Sequence, residues 1–245
     1  MIAARRRALV LTSVVLIAAA AVALGFVLTK PSPLPPRASS ERPPLLLLTS
    51  LPLFFGEEFS LQGGGSAVMK TLDSRYRVIP ISVTDPPELA KGRILLMAQP
   101  LAQPAEDLVA LDDWVRRGGR VLLLADPLLE WPSKRPLGDP LRPPAMFMDT
   151  GLLAHWGLRL DAPDEPRPEL ARMGGYEIMT LSRGKLFGSC AISEDRLVAH
   201  CRVGRGQATV VADADLLDTE RLDQSRHNFD ALLAELARME SRVAK

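Results

Sequence analysis

The chain is poor in aromatic residues, cysteine and histidine, and it carries almost no net charge. Aromatics are 5% of the 245 residues, which leaves little surface on which nucleic-acid bases would stack. The net charge is +1, and Arg5, Arg6, Arg7 and Lys30 supply four positive charges in the first thirty residues; taking four from +1 leaves −3 for the rest. A mildly acidic body lacks the basic footprint that a nucleic-acid partner requires. His155, His200 and His227 have no Cys, His or carboxylate at ligand spacing, so no zinc site is expected. No GxGxxG occurs, and the run Gly63-Gly64-Gly65 is followed by Ser66-Ala67 where a Walker loop needs Lys-Ser/Thr. No metal and no cofactor is expected. No cysteine follows the N-terminal apolar run, which excludes a lipoprotein anchor.

What is present begins with a membrane signal. Residues 8–29 are apolar and uncharged and follow the arginines of MIAARRR, a length sufficient to cross a bilayer as one helix. That run exceeds the apolar core of a secretory signal, which favours a retained anchor (residues 1–30) over a cleaved peptide. The flanking arginines keep the N-terminus cytoplasmic and place the body outside the inner membrane, in a periplasmic compartment. Residues 31–44, rich in proline and serine, read as an extended spacer without a core. The globular domain is expected over 45–245.

The clearest local pattern lies at 92–127. Residues 93–98 and 120–125 are short apolar runs of the kind buried in a parallel sheet. Between them Leu108, Leu111 and Val115 recur at helical spacing, with Glu106 and Asp107 early and Arg116 and Arg117 late, complementing the helix dipole. Gly118-Gly119 ends the helix, and the whole reads as one βαβ unit. Elsewhere, residues 45–49 and 77–81 read as strands, with Ser66 capping a helix over 67–74. Residues 128–144, with five prolines, read as a long surface loop. A helix is expected over 146–157, a short strand at 158–160 and an exposed acidic stretch at 161–169. Four strands then follow at 176–181, 185–192, 196–203 and 207–212, and an amphipathic helix at 227–239 closes the domain.

GGRVLLLADP after an amphipathic helix, GRGQATVVADAD, and the Asn-containing helix HNFDALLAELARM together resemble the auxiliary domain of gliding-motility-type ABC transport systems. That family is similar in turn to the class I glutamine amidotransferase-like fold. The resemblance spans residues 45–239. It implies a flavodoxin-like, amidotransferase-like α/β sandwich, membrane-tethered, with an accessory or scaffolding role. A working amidotransferase places cysteine on the sharp turn after the strand at 121–125, where this chain has Asp126-Pro127, and no His-x-Glu pair follows. No catalytic residue is therefore expected, and the chain reads as a pseudoenzyme.

Ser50, Gln99, Asp126, Asp213 and Asp215 follow strands at their C-terminal ends, the edge at which open α/β sheets bind ligands. These groups either converge on a cation or a sugar-like ligand, or stay apart and solvated. The second reading is favoured, because a doubly wound sheet spreads its strand ends. Three functions follow: an accessory component of an envelope ABC-type transporter, a ligand- or glycan-binding module using these carboxylates, and a degenerate hydrolase with Asp126 as nucleophile. The oxidising compartment favours pairing of Cys190 with Cys201. A two-residue turn at Glu194-Asp195 makes them diagonal neighbours beyond normal disulfide reach, whereas a bulge or a four-residue loop over 194–197 sets them directly opposite.

Overall fold

In the computed structural model, which describes residues 31–54, 66–218 and 226–241, a seven-stranded sheet runs in the order β2-β1-β3-β4-β11-β10-β9. Its first five strands are parallel: β2 (Arg77–Pro80), β1 (Pro44–Thr49), β3 (Ile94–Ala98), β4 (Arg120–Leu124) and β11 (Gly206–Val211). β10 (Val198–Val203) and the two-residue β9 (Ala191–Ile192) extend the sheet antiparallel. Every residue of β3, β4 and β11 is buried, as expected for parallel strands covered on both faces.

Right-handed crossovers decide which helix covers which face. The chain steps from β1 to β2 in one direction and from β3 to β4 in the other, so α1 (Ala67–Asp73) and α3 (Ala105–Arg116) fall on opposite sides. α2 (Pro86–Leu89) lies beside α3, and α5 (Arg226–Ser241) lies against α1 and across β3 and β4. The amphipathic patterns read from the sequence point inward as expected. Leu111 and Val115 of α3 are fully buried, as are Leu232, Leu236 and Met239 of α5. The Ser66 hydroxyl accepts from Met69 N–H at 3.2 Å and caps α1.

Several expectations are corrected. Within residues 31–44 the compact unit that holds the sheet begins at Leu34. Leu34 packs against the core, and Arg37 N–H donates to Ser74 O at 2.8 Å. Arg37 then grips Glu240 at the end of α5 with both terminal nitrogens, at 3.2 and 2.8 Å, while Tyr76 O–H donates to the same carboxylate. The helix expected over 146–157 is reduced to α4 (Leu152–His155). Phe147 N–H is tied to Asp126 O at 2.6 Å, and the Asp149 carboxylate takes the N–H groups of Gly151 and Leu153, so helix begins only after Gly151. The strand expected over 185–192 breaks into β8 (Lys185–Gly188) and β9, because Gly188 adopts φ of 149° against the backbone of Gly157. β8 leaves the main sheet and pairs with β5 (Leu158–Asp161). Within the stretch expected to be exposed and irregular, Glu169 already begins a strand, β6 (Glu169–Met173), which pairs antiparallel with β7 (Tyr176–Thr180).

Residues 8–29, expected from the sequence to cross the membrane, and most of the glycine-rich loop lie outside the described residues. Among the described residues no helix is long and apolar enough to cross a membrane.

Candidate functional site: a buried carboxylate cluster at the strand ends

Gln99 and Asp126 each follow a parallel strand, β3 and β4, and Asp213 and Asp215 follow β11. Because β3, β4 and β11 are consecutive neighbours in the sheet, their C-terminal ends converge. The structure therefore corrects the expectation that these groups stay apart and solvated: Gln99, Asp126, Asp213 and Asp215 are each 0% exposed. Ser50, at the end of β1, is half-buried and donates its hydroxyl to Gln99 O.

Gln99 adopts φ of +43°, a conformation uncommon outside glycine, and its side chain explains why. Its amide clasps the backbone of Asp126 from both sides: Asp126 N–H donates to Oε1 at 2.9 Å, and Nε2 donates to Asp126 O at 3.1 Å. The same Nε2 reaches Pro144 O at 3.2 Å, so Gln99 also holds the far end of the proline-rich loop.

Asp126 Oδ1 accepts from Leu128 N–H at 2.9 Å, and Oδ2 accepts from Ala214 N–H at 2.9 Å and Asp215 N–H at 3.4 Å. Asp215 Oδ2 accepts from Glu130 N–H at 2.9 Å. Asp213 Oδ1 accepts from Leu216 N–H at 2.7 Å, and Oδ2 meets Leu181 N–H at 3.4 Å. Ser182 stands between two of the acids. Its oxygen is 2.6 Å from Asp215 Oδ2 but 3.2 and 3.3 Å from the two oxygens of Asp126. A hydroxyl has one proton to give, and the short distance assigns it to Asp215. The Ser182 lone pair is then free to accept a proton carried by Asp126.

The electrostatics agree with that assignment. Burial, then the neighbouring Asp215 charge, push the Asp126 carboxyl up to about 7 against the pull of its backbone donors. Burial and the charges of Asp126 and Asp215 hold Asp213 well above the ordinary carboxylate range. Carboxylates packed this closely at low dielectric repel one another, which raises Asp126 and Asp213 in the same direction as burial does. Among the described residues no group of three or more His, Cys, Asp or Glu side chains is arranged to hold a metal ion. The oxygens are turned to backbone N–H groups of the segments that follow β4, β7 and β11, and the cluster fastens those segments together.

Ser182 is a member that the sequence does not single out, and Asn228, marked there only as the asparagine of the closing helix, ties down segments beside the cluster. Asn228, on α5 and fully buried, donates to Met179 O and Leu216 O at 2.8 Å each and accepts from Met179 N–H at 3.0 Å. A polar residue at the buried start of an amphipathic helix is the one sequence signal that marks it.

The histidines lie elsewhere. His155 sits beside Asp112 and Arg116, His227 beside Tyr176 and Asp230, and His200 faces Thr209 and Arg238.

No protein-family model matches the chain, and no curated protein matches it. Solved structures do. The cytoplasmic protein STM1381 from Salmonella typhimurium LT2 superposes with a TM-score of 0.52 at 12% identity, over 80% of this chain and 99% of that one. The mmIFT52 N-terminal domain gives 0.51 at 12% identity, over 80% and 96%. The exo-beta-1,4-mannosidase Op5Man5 from Opitutaceae bacterium strain TAV5 gives 0.48 at 14% identity, and the match covers 81% of this chain but only 36% of the mannosidase. The likeness is one of fold alone.

Proposed function

We propose that this protein is a membrane-anchored, non-enzymatic accessory or scaffold component of an envelope ABC-type transport system, with its α/β body on the periplasmic side of the inner membrane. The observation that carries the non-enzymatic part is the closure of the strand-end edge. Gln99, Asp126, Asp213 and Asp215 are fully buried and hydrogen-bonded to the protein's own backbone, with Ser182 between Asp126 and Asp215. A carboxyl that is buried, protonated near neutrality and hydrogen-bonded to loop amides is a poor nucleophile and a poor first contact for a ligand. That counts against both a degenerate hydrolase built on Asp126 and a glycan-binding module built on these carboxylates.

The finer fold assignment belongs to the same reading. The parallel strands follow the order 2-1-3-4 with β11 in fifth place, which is the flavodoxin-like order, and the nucleophile position after β4 holds Asp126. The directly opposed cysteines, with Cα atoms 4.8 Å apart in a disulfide, suit an exported body. Affinity purification of the full chain from detergent-solubilised membranes tests the proposal. An ATPase and a permease should be enriched with it; their absence, in a preparation that retains other membrane partners, overturns the transporter assignment.

A further inference from the structure

Among the described residues β6 is paired along one edge only, with β7, where Leu170 faces Met179 and Arg172 faces Glu177. Arg172 N–H leaves this ladder and donates to Asp195 Oδ2 at 3.0 Å, so the open edge of β6 is turned toward the loop that joins β9 to β10. Main-chain groups alternate in direction along a strand, so the N–H and C=O of Leu170, two residues earlier, are turned the same way. Between this edge and the loop lies a surface hollow of about 370 Å³.

Its lining combines an apolar floor with an acidic rim. Ala171 is buried, Leu170 is 55% exposed, and Glu177, Glu194 and Asp195 contribute three carboxylates against the single guanidinium of Arg172. Asp195 is committed to its own loop, accepting from Ser193 O–H at 2.6 Å and Leu197 N–H at 3.2 Å. Glu177 and Glu194 are exposed and stand at the mouth.

We propose that this edge binds an extended peptide segment of a partner protein, which adds to β6 as a strand and carries an aliphatic residue and a lysine or arginine two positions apart. In an extended chain residues two apart share a face, so the aliphatic side chain covers Leu170 while the cation meets Glu177 and Glu194. The Leu170 N–H and C=O supply main-chain hydrogen bonds, as in other strand-addition complexes. The proposal rests on the accessory reading only in giving that reading a docking surface.

The test uses the full chain in detergent micelles and a fluorescein-labelled peptide of Lys-Thr-Val-Thr repeats, in which lysine and valine stand two positions apart on one face, with a glutamate-for-lysine peptide as control. The lysine peptide should bind saturably and the glutamate peptide should not. Leu170→Pro removes an N–H that the ladder to β7 does not use, as does the proline found on natural edge strands. It should weaken binding by roughly tenfold, the worth of about one well-made hydrogen bond and its neighbour. The pair Glu177→Lys and Glu194→Lys alters only exposed side chains and should abolish binding without lowering the melting temperature. Absence of lysine-peptide binding, or binding that both variants leave unchanged, overturns the proposal. If the peptide binds as expected but no ATPase and permease co-purify, only the transporter assignment falls; if the transporter co-purifies equally well with the double-lysine variant, this surface falls.

Discussion

Asp126, Asp213 and Asp215 show how a side chain that reads as a surface ligand becomes an internal fastener. In isolation each is an ordinary strand-end aspartate; once the neighbouring ends of β4 and β11 meet, the carboxylates are brought together and solvent is excluded. Removing water from a carboxylate costs several kcal/mol unless it is hydrogen-bonded or neutralised, and here both remedies are used. The sign of the pH effect follows. An unfolded aspartate titrates near 3.9, whereas Asp126 in the folded protein is raised to about 7. The folded state therefore binds the proton more tightly. The associated stability is fully present below the unfolded value and is lost as pH rises toward 7, by a few kcal/mol on the usual conversion of about 1.4 kcal/mol per pK unit. Asp213, shifted in the same direction, adds to the same slope. The melting temperature should thus be higher at pH 5 than at pH 8. Asp213→Asn retains an oxygen for Leu216 N–H and loses only the long contact to Leu181, so it should raise the melting temperature at pH 8 and flatten the slope. An unchanged slope in that variant would show that the cluster does not control the titration.

At the scale of elements, the hairpin β9–β10 decides the fate of the cysteines. Ile192 pairs with Ala199 and Ala191 with His200, so Cys190 stands directly opposite Cys201. Of the turns weighed from the sequence, the structure takes the four-residue loop over 194–197. Ser193 N–H donates to Val198 O at 2.8 Å, Arg196 N–H donates to Ser193 O at 2.9 Å, and Arg196 accepts a φ of +60°. The Asp195 side chain, bonded to Ser193 O–H and Leu197 N–H, stabilises that turn over the two-residue one. Burial of Cys201, at 2% exposure, and the closeness of the two hairpin arms, with Cα atoms 4.8 Å apart, commit the pair to a disulfide. It staples a strand of only two residues to the sheet edge across a sequence separation of 11, a loop for which the chain-entropy relation gives about 2–3 kcal/mol. Cys190→Ser with Cys201→Ser should lower unfolding stability by that amount in urea titration. Wild-type protein, alkylated without reduction, should take up no label; two labels per chain would rule the bridge out.

The described body is built on a mainly parallel sheet whose peripheral pieces are clamped on by polar contacts. Arg37, Tyr76 and Glu240 fasten the entering chain to the end of α5, Gln99 fastens the proline-rich loop to β4, and Asn228 fastens α5 to β7. The clamp at Arg37 belongs to the compact unit that starts at Leu34. The topology prediction belongs at this scale. A phosphatase reporter fused after residue 245 should be active if residues 8–29 cross the inner membrane with the arginines inside. Activity of a cytoplasm-specific reporter in the same fusion would contradict it.

The amino-acid sequence alone determined the elements whose signals are local. The βαβ unit around Leu111 and Val115, the capped helix after Ser66 and the closing helix around Leu232 and Leu236 each carry a periodicity, a cap or a stop within a dozen residues. It also placed Gln99, Asp126, Asp213 and Asp215 at strand ends, since an apolar run followed by a polar residue marks that position. Only the tertiary structure decided that those strands are neighbours, that their carboxylates are buried together, and that Ser182, from a turn more than fifty residues after Asp126, stands between them. It likewise decided that Gly188 breaks a long apolar strand, because the cause is the backbone of Gly157, thirty-one residues away, at the place where a side chain would sit. Strand order and burial are set by contacts between segments distant along the chain, and no local pattern records which segments those are.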